Sequence, residues 1–339
     1  MCPRGGDIRI GCNSAPPEPP RPERRGALPV APLLSVFCTI FSLSVFSAAP
    51  TVKSGSPSSL PAALDRALTR SFGKRSGAGV VAEVSTGRIL AAKNLTVAAR
   101  RQALPGSSIK PFVLYALIES GRLRPDEAFV CPYKLEISGR RLDCTHPANT
   151  GPLYPASALA WSCNNFFAHF ATRLRPEELA RALARWGFAS APHLTADETA
   201  GEIIPAHSPS ELELQALGEY GIHVTPLELL QAYRRLATRR RDPATYGRSL
   251  GVVFAGLESS ANYGMSAAAR TEGLSVAGKT GTSIADEGNW SHGWFAGYAP
   301  AEAPEIVLVV FLERGRGPTD AAGIAHDVFA AYRDTRPRR

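Results

Sequence analysis

The spacing of apolar residues predicts strands near both ends of the globular part of the chain. Apolar stretches at residues 79–84 and 88–92 flank a short polar turn and predict a β-hairpin. Three further stretches, at residues 274–280, 293–298 and 306–312, also predict strands. The last stretch is apolar without interruption, which is typical of a central strand that is covered on both faces.

Between these two groups of strands, apolar residues recur every three or four positions and predict helices. Gly121 follows one helix as a cap, Pro176 opens another, and Thr225 begins a capping box. The predicted helices cover residues 60–71, 107–120, 156–161, 176–186 and 226–236, and a last helix follows Thr319 and Asp320. An early hairpin, late strands and intervening helices imply one mixed sheet closed by distant segments, with a helical subdomain inserted.

Composition divides the chain further. With 339 residues, 44% of them apolar, it can bury a large core. Residues 1–27 are rich in Pro, Gly and Arg and read as a basic flexible head, whereas residues 28–49 form an apolar run that ends in small residues. That run predicts a secretory signal peptide, with cleavage after Ala49 slightly favoured and retention as a membrane anchor left open. Residues 50–75 read as a linker, and residues 76–335 as the globular domain.

The net charge of +8 is mostly local. Five arginines lie between residues 234 and 241, and three more lie between residues 336 and 339. Cations near a helix C-terminus offset its dipole and are usually solvated, so no nucleic-acid partner is predicted. Attraction to anionic polymers or a membrane surface is a secondary interpretation.

The first candidate for chemistry is the pair Ser107 and Lys110, at the start of a predicted helix. A serine three residues before a lysine puts a hydroxyl and an amine on one helical face, and such an amine can make the serine nucleophilic. A similar pair, Ser71 and Lys74, is set aside because the intervening Gly73 argues against a firm helix.

The second candidate is Ser162 with Asn164, which follow a predicted helix. The hydroxyl can relay a proton and the amide can hold a substrate carbonyl, provided that the backbone turns between them. Ser260 and Asn262 match the same pattern, but they crowd the predicted strand that follows.

The third candidate is the run Lys279-Thr280-Gly281-Thr282, on a predicted strand. It adds a cation and an edge of backbone donors, which an acyl-transfer site needs. The order also agrees, since about fifty residues separate the first two motifs and about a hundred separate the second from the third.

With these three motifs in this order, the chain resembles the penicilloyl-serine transferases, which comprise the penicillin-binding proteins and the serine β-lactamases. Stretches at 79–91, 217–227 and 293–300 are similar to other parts of the transpeptidase domain. The resemblance implies an α/β (α+β) fold of the DD-peptidase/β-lactamase type. Its sheet would be five-stranded, mostly antiparallel and flanked by helices, with an inserted all-helical subdomain, so residues 76–335 would form a transpeptidase-like catalytic domain.

The resemblance implies a serine D,D-transpeptidase or D,D-carboxypeptidase that acts on the D-Ala-D-Ala end of peptidoglycan stem peptides and binds β-lactams. Export to the cell envelope, partners in cell-wall synthesis and the absence of a cofactor are implied with it. Backbone N–H groups of Ser107 and Thr282 would form the oxyanion hole. The remaining implied roles are nucleophile for Ser107, base for Lys110, proton relay for Ser162, peptide orientation for Asn164, and substrate carboxylate binding for Lys279 and Thr280 in the Lys279-Thr280-Gly281 motif.

Two alternatives stay open. A class D-like β-lactamase shares the first and third motifs, but such enzymes usually carry Ser-x-Val where this chain has Ser162 and Asn164. A non-catalytic β-lactam sensor or cell-wall scaffold would bind the same ligands without turnover. The motifs alone do not distinguish transfer to an amine from transfer to water.

Three cysteines follow the apolar run. In an oxidising envelope, Cys131 and Cys144 could form a disulfide. A metal site made of Cys131, Cys144 and His146 lacks a fourth ligand and a recognised spacing, so no metal site is predicted. Cys163 is interpreted as a small apolar filler on its helix.

Overall fold

The computed structural model describes residues 59–286 and 288–336. The chain divides into two units, Met1–Lys53 and Ser54–Arg339. All described residues belong to the second unit. The predicted head (1–27), the signal or anchor segment (28–49) and residues 50–58 of the linker lie outside the described residues. Among the helices that are described, none combines the length and the apolar character needed to cross a bilayer.

Strands and helices occur where the apolar pattern predicts them. The described strands are β1 Gly77–Glu83, β2 Ile89–Lys93, β3 Glu136–Ile137, β4 Arg140–Arg141, β5 Glu202–Ile203, β6 Ile222–His223, β7 Ala277–Ile284, β8 Ser291–Ala299 and β9 Ile306–Leu312. The described α-helices are α1 Leu60–Phe72, α2 Leu95–Arg100, α3 Lys110–Glu119, α4 Pro155–Ala160, α5 Asn164–Ala171, α6 Pro176–Arg185, α7 Pro209–Leu217, α8 Pro226–Arg240, α9 Arg248–Asn262 and α10 Ala322–Thr335.

The main sheet has five strands in the order β2-β1-β9-β8-β7. Every neighbouring pair is antiparallel, so the sheet is antiparallel throughout rather than mixed. The apolar run 306–312 is the central strand, and all of its residues are buried, as its pattern predicts. The segment between β2 and β7 is the inserted helical subdomain, which also holds the two-stranded ribbons β3–β4 and β5–β6.

Side chains of β9 alternate between the two faces of the sheet. Leu308 and Val310 pack with α1 and α10 on one face. Val307, Val309 and Phe311 belong to the larger core that the sheet shares with the helical subdomain. The sheet is therefore the common wall of two apolar layers, and β9 stabilises both.

Several boundaries differ from the sequence-based expectation, among them the start of β7 at Ala277 rather than 274 and the end of α8 at Arg240 rather than 236. Strand β7 continues to Ile284 because Thr282, Ser283 and Ile284 pair with Gly293, His292 and Ser291 of β8. The last helix begins only after a π-helical turn, Gly317–Ala321, in which the Asp320 carboxylate accepts a hydrogen bond from the Arg316 backbone N–H. In contrast, the predicted capping box of Thr225 and Glu228 is present at the start of α8.

Truncation of Val309 to alanine should destabilise the protein by about 2 kcal/mol, since it removes two buried methyl groups and leaves a cavity between packed layers. Val309 is fully buried, whereas Val130 is 75% exposed. The matched change Val130→Ala should shift the free energy of unfolding by less than about 0.5 kcal/mol. Chemical denaturation measures both values, and equal losses for the two variants would contradict the assigned core.

Candidate active site

The turn that carries Ser107 is a short 3-10 segment, Gly106–Ile109, that leads directly into α3. Ser107 is partly exposed, whereas Lys110 is fully buried one turn further on. Pro111 lies in the first turn of α3, where its missing N–H costs least. The sequence-based placement of Ser107 at a helix N-terminus is therefore confirmed.

Buried hydrogen bonds hold this turn against the sheet and α8. The Tyr233 hydroxyl donates to the Ser108 carbonyl at 2.9 Å, and the Ser108 hydroxyl donates to the Pro105 carbonyl at 2.8 Å. The Leu104 carbonyl accepts from Trp294 Nε1 at 3.0 Å. Because these partners lie in the packed core, they fix the position of the turn.

Ser162 lies between α4 and α5 in the left-handed region, with φ +55°. This turn brings its hydroxyl and the Asn164 amide to the same place. The Lys110 ammonium donates to Asn164 Oδ1 at 2.6 Å, to the Ser162 carbonyl at 2.9 Å and to Ser162 Oγ at 3.3 Å. The first two motifs thus meet at one buried amine.

The third motif joins them from strand β7. Lys279 Nζ donates to Ser162 Oγ at 2.9 Å and to the Thr280 carbonyl at 3.0 Å. Two lysines therefore contact one serine hydroxyl, although 117 residues separate Ser162 from Lys279 in the chain. The structure brings all three predicted motifs together.

Burial disfavours the charged form of both lysines. It lowers the pKa of Lys110 from 10.5 to about 8, while Cys144, Cys163 and Glu219 oppose that shift. Burial also lowers the pKa of Lys279 well below its usual value, and the neighbouring Lys110 lowers it further. One of the two amines can therefore lose its proton near neutral pH, as a general base requires.

The network lies beneath an open cavity of about 430 Å³. Six of the eight predicted site residues line it, and the two lysines are buried behind it. The lining residues are Ser107, Ser162, Asn164, Thr280, Gly281 and Thr282 from the motifs, together with Asp143, Thr145, Met265, Ser291, Arg316, Pro318 and Thr319.

Glycines allow strand β7 to approach the Ser107 turn closely. A Cβ on Gly281 would lie 2.4 Å from the Pro105 carbonyl oxygen and 3.0 Å from the Ser108 nitrogen. Gly106 has φ +51°, and its Cβ would lie 2.5 Å from the Thr282 carbonyl oxygen. Because Gly281 has no side chain, the backbone of β7 can pack directly against the backbone of the Ser107 turn.

Sequence reasoning missed several residues of the cavity. Arg316 is an exposed cation that lines it, but it lies in the loop after β9, where no periodicity or motif marks it. Its position follows from the close approach of Gly317 to Gly281, where a Cβ would lie 2.2 Å from the Gly281 carbonyl oxygen. Such a loop contact leaves no signal in a single sequence.

Two carboxylates stand near Ser107, and both have partners. Asp143 accepts from the Leu135 backbone N–H and from Arg141, which lower its pKa to about 2. Glu219 lines a neighbouring cavity with Ser107 and accepts from Arg140 at 2.6 Å. Burial raises the pKa of Glu219, and the Arg140 guanidinium opposes that shift.

The two motif-like pairs that were set aside do not line the cavity. Helix α1 ends at Phe72, and Gly73 follows it with φ +54°, so Ser71 and Lys74 do not share a helical face. The Ser260 hydroxyl is buried in α9 and donates to the Ser266 hydroxyl at 2.9 Å.

The three cysteines lie next to the second motif. The sulfurs of Cys131 and Cys144 are 3.6 Å apart and both thiols are free, so the two cysteines are adjacent but not joined. Cys163 caps α5 by accepting the Phe166 backbone N–H, and its sulfur lies 3.7 Å from that of Cys144. Cys163 is therefore more than an apolar filler. It lies beside Cys131, Cys144 and His146, the three residues that lacked a fourth metal ligand in the sequence.

Known proteins resemble this chain over most of its length. Residues 77–331 match the profile of the family described as the penicillin binding protein transpeptidase domain. A probable peptidoglycan D,D-transpeptidase PbpC of Pseudomonas aeruginosa is 25% identical over 295 residues, covering 74% of this chain and 51% of the relative. The peptidoglycan D,D-transpeptidase FtsI of Escherichia coli is 26% identical over 278 residues, covering 70% of this chain and 47% of the relative. The chain thus spans about half the length of these curated relatives.

Solved structures give the same fold. The D,D-transpeptidase domain of a peptidoglycan glycosyltransferase from Eggerthella lenta superposes with a TM-score of 0.68 at 24% identity, covering 80% of this chain and 81% of that one. At this identity the likeness establishes the fold alone. The expected five-stranded architecture is confirmed by it and by the strand order above.

Replacement of Gly281 by alanine should destabilise the protein by about 1–3 kcal/mol, because the new methyl group meets backbone atoms that cannot move aside. The matched change Gly323→Ala meets nothing within 4 Å and should be neutral or stabilising by up to about 1 kcal/mol. Thermal unfolding compares the two variants. A Gly281→Ala protein as stable as the Gly323→Ala protein would contradict the close approach of strand and turn.

Proposed function

The chain belongs to the penicillin-binding protein transpeptidase family, and from that premise we propose that it is a serine D,D-transpeptidase or D,D-carboxypeptidase. Its substrate would be the D-Ala-D-Ala end of a peptidoglycan stem peptide, and β-lactams would acylate the same serine. The observation that carries the proposal is the contact of Lys110 and Lys279 with one hydroxyl, Ser162 Oγ, behind a cavity lined by Ser107.

Acylation begins when Ser107 Oγ attacks the carbonyl carbon of the scissile peptide bond. The serine proton passes to the neutral amine of Lys110, and the new C–O bond creates a tetrahedral oxyanion. Backbone N–H groups of Ser107 and Thr282 donate to this oxygen, and one such donor is typically worth about 3 kcal/mol. The intermediate collapses to an acyl-Ser107 ester as the C–N bond breaks.

The leaving amine needs a proton, and Ser162 supplies it. Its hydroxyl lies within hydrogen-bonding distance of both lysines, so a proton taken by Lys110 can be returned through Ser162 to the leaving nitrogen. Asn164 orients the peptide with its amide, which is itself held because Nδ2 donates to the Leu142 carbonyl at 2.9 Å. The ester then transfers its acyl group to an amine or to water.

The terminal carboxylate of the substrate would lie along the third motif. Lys279 is fully buried and its ammonium points at Ser162, so its contribution is the positive field behind the strand rather than a direct contact. Arg316 lines the cavity and offers a guanidinium for the direct contact, whereas the Thr280 hydroxyl lies in the cavity wall and donates to the Met265 carbonyl at 3.2 Å. A bound carboxylate favours the charged form of Lys279, which in turn favours the neutral form of Lys110.

The state of the nearby carboxylates favours this function over a β-lactamase. Rapid hydrolysis of an acyl-enzyme needs a base that can activate water. Asp143 is a weak base because hydrogen bonds from Leu135 and Arg141 lower its pKa to about 2, and the Glu219 carboxylate, whose pKa burial raises, is engaged by Arg140 at 2.6 Å. Slow hydrolysis of the penicilloyl ester is the expected behaviour.

The setting of the domain follows from the substrate. Peptidoglycan lies outside the cytoplasm, which agrees with the predicted signal peptide or anchor at residues 28–49. The catalytic domain, residues 76–335, would act there. Partners in cell-wall synthesis would bring the domain to its substrate.

A burst experiment with a fluorescent penicillin tests the proposal. The wild-type protein should take up about one label per chain and release it slowly, since the carboxylates beside the ester are engaged by Arg141 and Arg140 rather than by a water. Ser107→Ala should abolish labelling, whereas Ser71→Ala, which alters the unused Ser-x-x-Lys pair, should leave it unchanged. Labelling of Ser107→Ala would refute the nucleophile, and rapid multiple turnover would favour the β-lactamase.

The acylation rate should rise with pH. Because the pKa of Lys110 is about 8 and only its neutral form accepts a proton, the rate constant should increase about tenfold per pH unit below pH 8 and level off above it. Lys110→Ala should lose this dependence and slow acylation by about 10²–10⁴-fold. Stopped-flow labelling measures the profile, with thermal unfolding at each pH as the control for folding. A flat wild-type profile between pH 6 and pH 9 would exclude Lys110 as the base.

A further inference from the structure

Three thiols and one imidazole converge beside the second motif. The ligand atoms of Cys131, Cys144, His146 and Cys163 all lie within 4.8 Å of one another. We propose that these four residues bind a structural zinc ion, held between the segment that precedes α4 and the start of α5.

The separations of the sulfurs fit one tetrahedral centre. A zinc–sulfur bond of about 2.3 Å implies a sulfur–sulfur edge of roughly 3.8 Å in a regular tetrahedron. Cys144 Sγ lies 3.6 Å from Cys131 Sγ and 3.7 Å from Cys163 Sγ. A disulfide would need a separation of about 2.05 Å, and it would join only two of the three sulfurs.

His146 is oriented as a zinc ligand. The residue is 5% exposed, and Nδ1 lies 3.1 Å from the Pro147 carbonyl oxygen. That contact makes Nδ1 the protonated nitrogen, which leaves the lone pair on Nε2. No described residue lies within hydrogen-bonding distance of this buried Nε2. Histidine ligands of zinc usually donate their other ring N–H in this way, which fixes the ring and its tautomer.

Each of the three sulfurs accepts hydrogen bonds from N–H groups, as metal-bound thiolates do. The Tyr133 backbone N–H donates to Cys131 Sγ at 3.3 Å, and the Phe166 backbone N–H donates to Cys163 Sγ at 3.4 Å. Asn165 donates to Cys144 Sγ from its backbone at 3.5 Å and from its side chain at 3.3 Å. A neutral thiol is a weak acceptor, so four donors on three sulfurs fit ligands that carry negative charge.

The ligand set selects the metal and its role. Thiolates and imidazole are ligands for zinc, whereas magnesium and calcium prefer oxygen. Four protein ligands close the coordination shell, which is typical of structural rather than catalytic zinc. The site therefore supports the fold next to the cavity and takes no part in bond breaking.

The position of Cys163 gives the zinc a further consequence. This residue lies between Ser162 and Asn164, and it leads from the left-handed Ser162 into α5. Cys144 follows Asp143, which lines the cavity, and the Leu142 carbonyl nearby accepts from Asn164. One ion would thus tie the loop of residues 131–146 to the second motif and position its hydroxyl and amide.

Elemental analysis of the full-length chain, purified without chelator, tests the site. The wild-type protein should contain about one zinc per chain, and Cys131→Ser or His146→Ala should lower the zinc content at least about tenfold. The control His207→Ala changes an exposed histidine outside the cluster and should retain the metal. Cobalt exchanged into the wild-type protein should give the thiolate charge-transfer band and the intense d–d bands of a tetrahedral site.

The outcomes separate this proposal from its rivals. Metal-free wild-type protein with a disulfide between two of the three cysteines would overturn it, as would zinc that survives in both ligand variants. If those variants do not fold, the cobalt spectrum of the wild-type protein decides. Absence of the thiolate charge-transfer band from that spectrum would also overturn the zinc site.

The proposed effect of zinc on the positions of Ser162 and Asn164 rests on the proposed function, and it is measured separately through the acylation rate. Zinc removal should slow penicillin acylation at least about tenfold and lower the unfolding temperature, and added zinc should restore both. Zinc without acylation would refute the proposed function alone. Acylation by a zinc-free, folded protein at the wild-type rate would refute the positioning role.

Discussion

The site depends on two buried lysines that contact a single serine hydroxyl. Taking an ammonium group out of water is costly, and two such groups near one oxygen repel each other, so at least one proton is weakly held. Ser162 accepts both contacts, and its left-handed backbone keeps the hydroxyl where helix α3 and strand β7 meet. The rest of the fold brings these three segments to one point and keeps them rigid.

Much of this arrangement can be predicted from the sequence. Short motifs with fixed internal spacing identify Ser107, Lys110 and Lys279, and the uninterrupted apolar run identifies the central strand. These features are local, so periodicity and residue type are enough to find them. The antiparallel order of the five strands is non-local. It is implied by the family resemblance and not by any pattern of apolar positions.

Other features depend on contacts between segments that are distant in the chain. Arg316 reaches the cavity because Gly317 packs against Gly281, and no single-sequence signal reports such a contact. The fourth member of the thiol cluster has no sequence signal for the same reason. Cys131, Cys144 and His146 are close in the sequence, whereas Cys163 lies within the second motif, and only the fold brings its thiol beside them.

The strand order also constrains how the chain acquires its structure. Strand β1 pairs along its whole length with β9, so Gly77 lies opposite Leu312. The central position of the sheet remains empty until the ribosome has made nearly the entire domain, and the apolar layers on both faces cannot close before then. Such high contact order delays folding. The five-stranded sheet is therefore expected to close only after β9 has been made, whatever the order in which the helices form.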